Sequence, residues 1–208
     1  MIFQKLSVIS GLLVMSGIPF TAFCFSETGT AGGKELPKKA EAMAAPAAAS
    51  KSKILVVYYS RTGYTKKVAE EIAAVMGCDI EEIIDTKDRS GIFGYIGSGR
   101  DAMKKNLTVI KAIRNDPANY DTIIIGTPVW AGLMSAPVRT YIVQNKGKLK
   151  NAAFFCTMGG RGDKKTFADM EAASGKKPFA TLTVLDKEIK DGSYKAKVVE
   201  FVKSLAGK

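Results

Sequence analysis

The run Thr122-Ile123-Ile124-Ile125-Gly126-Thr127 limits the fold more than any other stretch of the chain. It is short, mostly β-branched and uncharged, so it reads as a strand buried on both faces. Such a strand belongs in a parallel sheet with helices on both sides, and the flanking sequence supplies the alternation. Lys53–Tyr59 reads as strand one. Tyr64–Met76 reads as helix one, with Val68, Ile72 and Ala73 on one stripe and Gly77 at its C-cap. Asp79–Asp85 is a weakly alternating second strand. After the central run come a helix over Pro137–Gln144, a strand over Ala152–Thr157 and a helix over Lys164–Ala173 that Asp163 can cap and Gly175 ends. Ala180–Leu185 is a fifth strand, and Ser193–Leu205 is a closing helix. The pattern predicts an α/β fold, a doubly wound five-stranded parallel sheet with helices on both faces.

Arg89–Asn106 fits this scheme least well. Gly91, Gly94, Gly97 and Gly99 lower its helix propensity, so a helix is expected only over Arg100–Lys105, behind a long glycine-rich approach. Gly97-Ser98-Gly99-Arg100-Asp101-Ala102 has the spacing of a dinucleotide-binding G-x-G-x-x-A, but no strand leads into it, and it reads as coincidence. Ile92–Ala102 could cover a ligand beside the first loop or form a plain surface helix.

Residues 1–26 read as an export signal. Lys5 precedes a mostly apolar Leu6–Phe20 stretch that Pro19 breaks, and compact residues follow to Ser26. The stretch is short for a membrane span. A lipid on Cys24 and an uncleaved anchor are the two routes by which the chain would touch a membrane. Residues 27–51, rich in Ala, Lys, Gly, Pro and Glu, read as a disordered linker. The folded domain is then 52–208.

Composition removes several kinds of chemistry. The chain has no histidine, which excludes His general bases, Ser-His and Cys-His nucleophiles and most zinc sites. Its three cysteines, Cys24, Cys78 and Cys156, are too scattered for an iron–sulfur or zinc centre, so no metal is expected. Cys78 and Cys156 fall on strands that are not neighbours, and both are expected as free thiols. Demanding redox chemistry would need an organic cofactor. The formal charge is +11, and from Ser52 onward 26 Lys+Arg stand against 17 Asp+Glu. Solvated lysine faces and an acidic partner both fit that excess. No basic run is interleaved with aromatics, so nucleic-acid binding is not expected.

Three loops follow strand ends. In the first, Ser60-Arg61-Thr62-Gly63-Tyr64-Thr65, hydroxyls and a glycine lead into a helix N-terminus. Free backbone N–H groups and the helix dipole suit that place to a phosphate. The competing reading is that Thr62 or Thr65 simply caps the helix. The second loop is Pro128-Val129-Trp130-Ala131-Gly132-Leu133-Met134-Ser135, and the third is Met158-Gly159-Gly160-Arg161-Gly162-Asp163.

Lys53–Thr65, Gly126–Gly132 and Thr157–Gly162, in this order on one strand–helix scaffold, resemble the flavodoxin family. The likeness extends from about Ser52 to the C-terminus. It implies strand order 2-1-3-4-5, with ligands bound where the order reverses, and a non-covalent flavin mononucleotide (FMN). It assigns the phosphate to Ser60, Arg61, Thr62, Gly63, Tyr64 and Thr65. Thr127, Pro128, Val129, Trp130, Ala131 and Gly132 would form the ring side, with Trp130 flanking the isoalloxazine unless it is a core side chain. Met158, Gly159, Gly160 and Gly162 would lie against the pyrimidine end. No residue is assigned a catalytic role. The chain departs from the family pattern in its basic charge, its export signal and the lack of an aromatic between Met158 and Lys165. The expected function is exported FMN-dependent electron transfer to a redox partner protein or a small acceptor such as a quinone. An FMN-dependent NAD(P)H:quinone-type oxidoreductase and a flavin-free binding module on the same fold are the alternatives.

Overall fold

The computed structural model describes residues 52–206. The expected signal and linker, residues 1–51, lie outside the described residues. Five parallel strands form the sheet: β1 Ile54–Tyr58, β2 Asp79–Glu82, β3 Thr122–Trp130, β5 Asn151–Met158 and β6 Thr181–Leu185. Their spatial order is β2-β1-β3-β5-β6, and a two-residue strand, β4 Leu133–Met134, pairs antiparallel with the end of β3. The helices are α1 Tyr64–Met76, α2 Gly91–Met103, α3 Ala136–Asn145, α4 Asp163–Ser174, α5 Asp186–Asp191 and α6 Tyr194–Ala206. The order is the expected one, with β4 and α5 added.

The period-two alternation of a strand sorts the core into two layers. Leu55, Val57, Ile123, Ile125, Ala152 and Phe154 point to one side, where Val138, Tyr141 and Ile142 of α3 and Met170 of α4 cover them. Val56, Tyr58, Ile124, Ala153 and Phe155 point to the other, under Val68 and Ile72 of α1 and Val198 and Phe201 of α6. Each large apolar side chain withdrawn from water contributes about 1.5–3 kcal/mol, so β3, loaded on both faces, holds the layers together.

Several boundaries differ from the sequence expectation. β3 runs on through Pro128, Val129 and Trp130, which were expected in a loop, because β5 pairs with it as far as Pro128 and β4 pairs with Val129 and Trp130. β2 stops at Glu82; beyond it Asp85 makes an isolated antiparallel bridge to Ile110. The glycine-rich Gly91–Arg100 stretch is helical after all. A Cβ at Gly94 would overlap the backbone of Arg89, so a side chain is absent where the first turn of α2 folds back on the preceding chain. The G-x-G-x-x-A look-alike lies wholly inside α2, as its reading as coincidence requires. Gly162 rather than Asp163 occupies the N-cap of α4, and the Asp163 carboxylate accepts from the Thr183 hydroxyl at 3.3 Å. Cys78 and Cys156 are free thiols as expected, and burial pushes Cys156 up to about 12.

Gly126, in the middle of β3, has the Phe155 ring where its side chain would be. Gly126→Ala should therefore destabilise the domain by about 1–3 kcal/mol through overpacking. Phe155→Leu in the same chain should recover part of that loss, as read by urea unfolding.

Candidate functional site

The loops after β1, β3 and β5 emerge at the carboxyl ends of adjacent strands. The first begins α1 without any side-chain cap, so neither Thr62 nor Thr65 fills that role. Gly63 is the N-cap, at φ +87°, a left-handed conformation costly to a residue with a Cβ. Its N–H donates to the Ser60 hydroxyl at 3.1 Å, which tightens the loop on itself. Thr65 is buried, and its hydroxyl shares a 2.8 Å hydrogen bond with that of Thr157 at the end of β5. Thr62 is exposed, and Tyr64 is part-buried against the α1 layer of the core. Arg61 holds its guanidinium 5.2 Å from the centroid of the Tyr95 ring on α2.

The charge at the two helix starts distinguishes the first loop from the third. The first turn of α1 carries no acidic residue, so the positive end of its dipole is not neutralised within the helix. The first turn of α4 carries Asp163, which opposes a second anion there. An open cavity of about 600 Å³ adjoins Ser60 and Arg61, with the segment after β2 as its other wall. A further cavity, of about 500 Å³, lies by Lys53, Gly77 and Tyr120, at the opposite strand ends from these loops.

The second loop is a tight hairpin. Trp130 pairs with Leu133 across Ala131 and Gly132, at φ +50° and +79°. Two successive left-handed residues are the signature of a type I′ turn. An alanine in the first position is strained, and it stands at the exposed tip of the turn. Thr127 is fully buried: its hydroxyl accepts from the Ser135 N–H at 3.0 Å and so closes the base of the hairpin. Met158 is likewise an interior side chain. Gly159 and Gly160 are exposed, and Gly162 seals the third loop against the second, its Cβ position 3.0 Å from the Gly132 Cα and 3.1 Å from Val129.

Trp130, expected to flank the isoalloxazine unless it is a core side chain, ends β3 beside the hairpin turn. It is only 7 % exposed, with the Tyr59 ring edge-on at 5.6 Å and the Arg89 guanidinium 5.3 Å from its centroid. The structure thus gathers the backbone of loops two and three at one end of the sheet and turns the side chains of Thr127, Trp130 and Met158 inward.

A family model described as flavodoxin matches residues 53–202. The chain belongs to the flavodoxin family. Among solved structures it is similar to a flavoprotein from Lactobacillus acidophilus in complex with FMN, at 29 % identity and a TM-score of 0.58, with 69 % of this chain and 99 % of that one covered. The apo form of that flavoprotein matches at 26 % identity and a TM-score of 0.53, over 67 % of this chain and 96 % of the other. A putative flavoprotein from Bacteroides eggerthii matches at 25 % identity and a TM-score of 0.57, covering 68 % of this chain and 96 % of its own.

Sequence reasoning missed one side-chain cluster of this flavodoxin-family domain. Arg89 donates through Nε to Asp85 at 2.7 Å and through Nη1 to Asp101 at 2.6 Å, with all three side chains largely buried. This bracket fastens the segment after β2 to α2 and presses the cation onto Trp130. The Asp85–Arg89 spacing was the available signal. At Asp101 burial acts to raise the pKa, but the hydrogen bonds from Arg89, Lys87 and Asn106 outweigh it and hold the carboxyl at about 2. Because the folded value is depressed, the stabilisation is complete above the unfolded carboxylate range near 4 and is lost as pH falls through about 2. Asp101→Asn should lower stability at pH 7 by about 1–3 kcal/mol. It should also flatten the acid limb between about pH 4 and 2, as followed by denaturant midpoints and Trp130 fluorescence.

Proposed function

We propose that this chain is an exported FMN-binding electron-transfer protein. One observation carries the flavin reading: the start of α1 has neither a side-chain cap nor an acidic first turn, under a loop that Gly63 bends into the left-handed region. The backbone amides that open α1 and the hydroxyl of Thr62 would hold a phosphate dianion there, with Ser60 bracing the loop and Arg61 at its edge. Thr65 supports the cradle from beneath through Thr157. The backbone of Ala131–Gly132 and Gly159–Gly160 would frame the ring, on a hairpin that Thr127 and Ser135 keep closed. The FMN bound to the Lactobacillus acidophilus flavoprotein supports the choice of cofactor.

FMN, when bound, would supply reversible one- and two-electron redox chemistry. The protein's share is to bind and orient the cofactor, to place backbone amides beside the ring and to exclude water from its inner edge. Export rests on the composition of residues 1–26, and the partner would be a redox protein or a small acceptor. The oxidoreductase alternative is favoured by one feature: the third loop brings no aromatic side chain to the ring side, which leaves room for a second flat molecule.

Titration of the flavin-free chain with FMN, read by flavin fluorescence, tests the site. Thr62→Ala should weaken binding by about 1–3 kcal/mol, roughly five- to 150-fold, if it bonds the charged phosphate. Its stability should be unchanged, since Thr62 neither caps α1 nor enters the core. Absence of FMN binding by the unaltered chain would leave the flavin-free module as the reading. Turnover of NADH or NADPH with a quinone would favour the oxidoreductase.

A further inference from the structure

Eight of the eleven large apolar side chains that stand exposed among the described residues lie between Ile84 and Val109. Scattered singly such residues are ordinary, but gathered they mark a contact surface. Four of them form the outer face of α2. Ile92, Ile96 and Met103 stand at i, i+4 and i+11, within about 40° of one another around the helix, and Phe93 adjoins them. Ile92 and Phe93 are 76 and 91 % exposed, Ile96 and Met103 60 and 62 %. Ser98 and Ala102 are the buried residues of the helix. The apolar stripe of α2 thus faces away from the core, the reverse of an ordinary surface helix. The Arg89 bracket secures the helix from behind, so the stripe is not needed to hold it.

The charge around this face decides what covers it. Residues 84–111 carry six Lys or Arg and three Asp. Arg89 engages two of the three carboxylates, Asp85 and Asp101. The third, Asp88, precedes the helix and accepts from the Ser90 N–H at 2.8 Å. Arg100 and Lys104 border the stripe on its Phe93 side, both exposed and neither paired with a carboxylate among the described residues. An apolar stripe edged by free cations matches acyl chains beneath anionic headgroups.

Two other occupants match it less well. The core of a protein–protein interface is depleted of lysine and packs as densely as an interior, so it needs a complementary recess. Phe93 instead stands clear of the surface, and a fluid lipid layer adapts to such a shape. A second copy of the chain would set the same cations against each other, because a two-fold contact uses one patch twice. The face also lies apart from the loops at the strand ends. Ile92 and Phe93 line neither the cavity beside Ser60 and Arg61 nor the smaller one, of about 220 Å³, between α2 and the β3–β4 hairpin.

We propose that the outer face of α2 docks the domain on an anionic lipid surface, with Ile92, Phe93, Ile96 and Met103 in the acyl boundary and Arg100 and Lys104 on headgroup phosphates. This contact requires no flavin.

The full chain is cosedimented with vesicles of phosphatidylcholine alone and of an equimolar mixture of phosphatidylcholine and phosphatidylglycerol. Tighter binding to the mixture is expected, weakening as salt approaches about 1 M, where the screening length falls to about 3 Å. Ile92→Ser combined with Phe93→Ser should weaken binding to the mixture at least about tenfold. The thermal midpoint should stay unchanged, since both side chains are exposed. Arg100→Gln combined with Lys104→Gln should weaken it about fivefold or more and remove most of the salt dependence. The indole added by Phe93→Trp should shift its emission to the blue on mixed vesicles, while Trp130, already buried, stays constant. Full binding by the paired serine variant would overturn the proposal, because residues 1–26 would then carry the attachment. Equal, salt-insensitive binding to both vesicles would overturn it too. So would lipid-free self-association that the serine variant abolishes, which would assign the face to a second copy.

Discussion

Everything at the carboxyl ends of the strands depends on β3 being paired on both edges and buried on both faces. Its pairing with β1 and β5 fixes where two of the three loops emerge, and its own extension becomes one arm of the hairpin. The parallel direction sends all three loops to the same end, and the tight packing of Gly126 under Phe155 leaves little freedom to slip. The loops therefore meet without making many contacts of their own. Thr65 to Thr157 and Gly162 to Gly132 are the two close joints, and both attach to residues the sheet already holds.

Onto this rigid frame the chain adds a less firmly held piece. Only Ser98 and Ala102 of α2 are buried, against five residues of α1 and eight of α3. What secures α2 is polar: the Arg89 bracket to Asp85 and Asp101, and Arg61 over Tyr95. A helix held by charges rather than by a packed stripe can leave its apolar residues outside, and this one does. Buried charges of this kind contribute less net stability than a hydrophobic face of the same size, but they set geometry strictly.

How far the sequence disclosed this follows from the kind of signal each part leaves. The strands and α1, α3, α4 and α6 were legible because burial on two faces and the helical stripe write periodicities into the chain. Helix α1 was even bounded correctly, by the glycine on each side. Helix α2 was not, since its glycines reflect close approach at Gly94 and open space at Gly99, and propensity cannot tell either from a loop. The hairpin was missed because a proline and a glycine suit a loop equally well; here β1 pairing ends at Gly126, which leaves Pro128 one open edge, and Gly132 takes the left-handed turn. Trp130 was the least readable residue. Its burial is decided by Arg89 and Tyr59, one 41 residues and the other 71 residues away in sequence, and no local pattern reports that.

The hydrogen bond between Thr65 and Thr157 joins residues 92 positions apart. It places the loop that opens α1, encoded near the start of the domain, under the control of a strand formed much later in the chain. Closing so long a span is entropically slow and has to wait for β3 and β5 to pair. Helix α1 can form locally, but the floor beneath its first turn depends on that pairing. The shape of that loop should thus be among the last features the folding domain acquires.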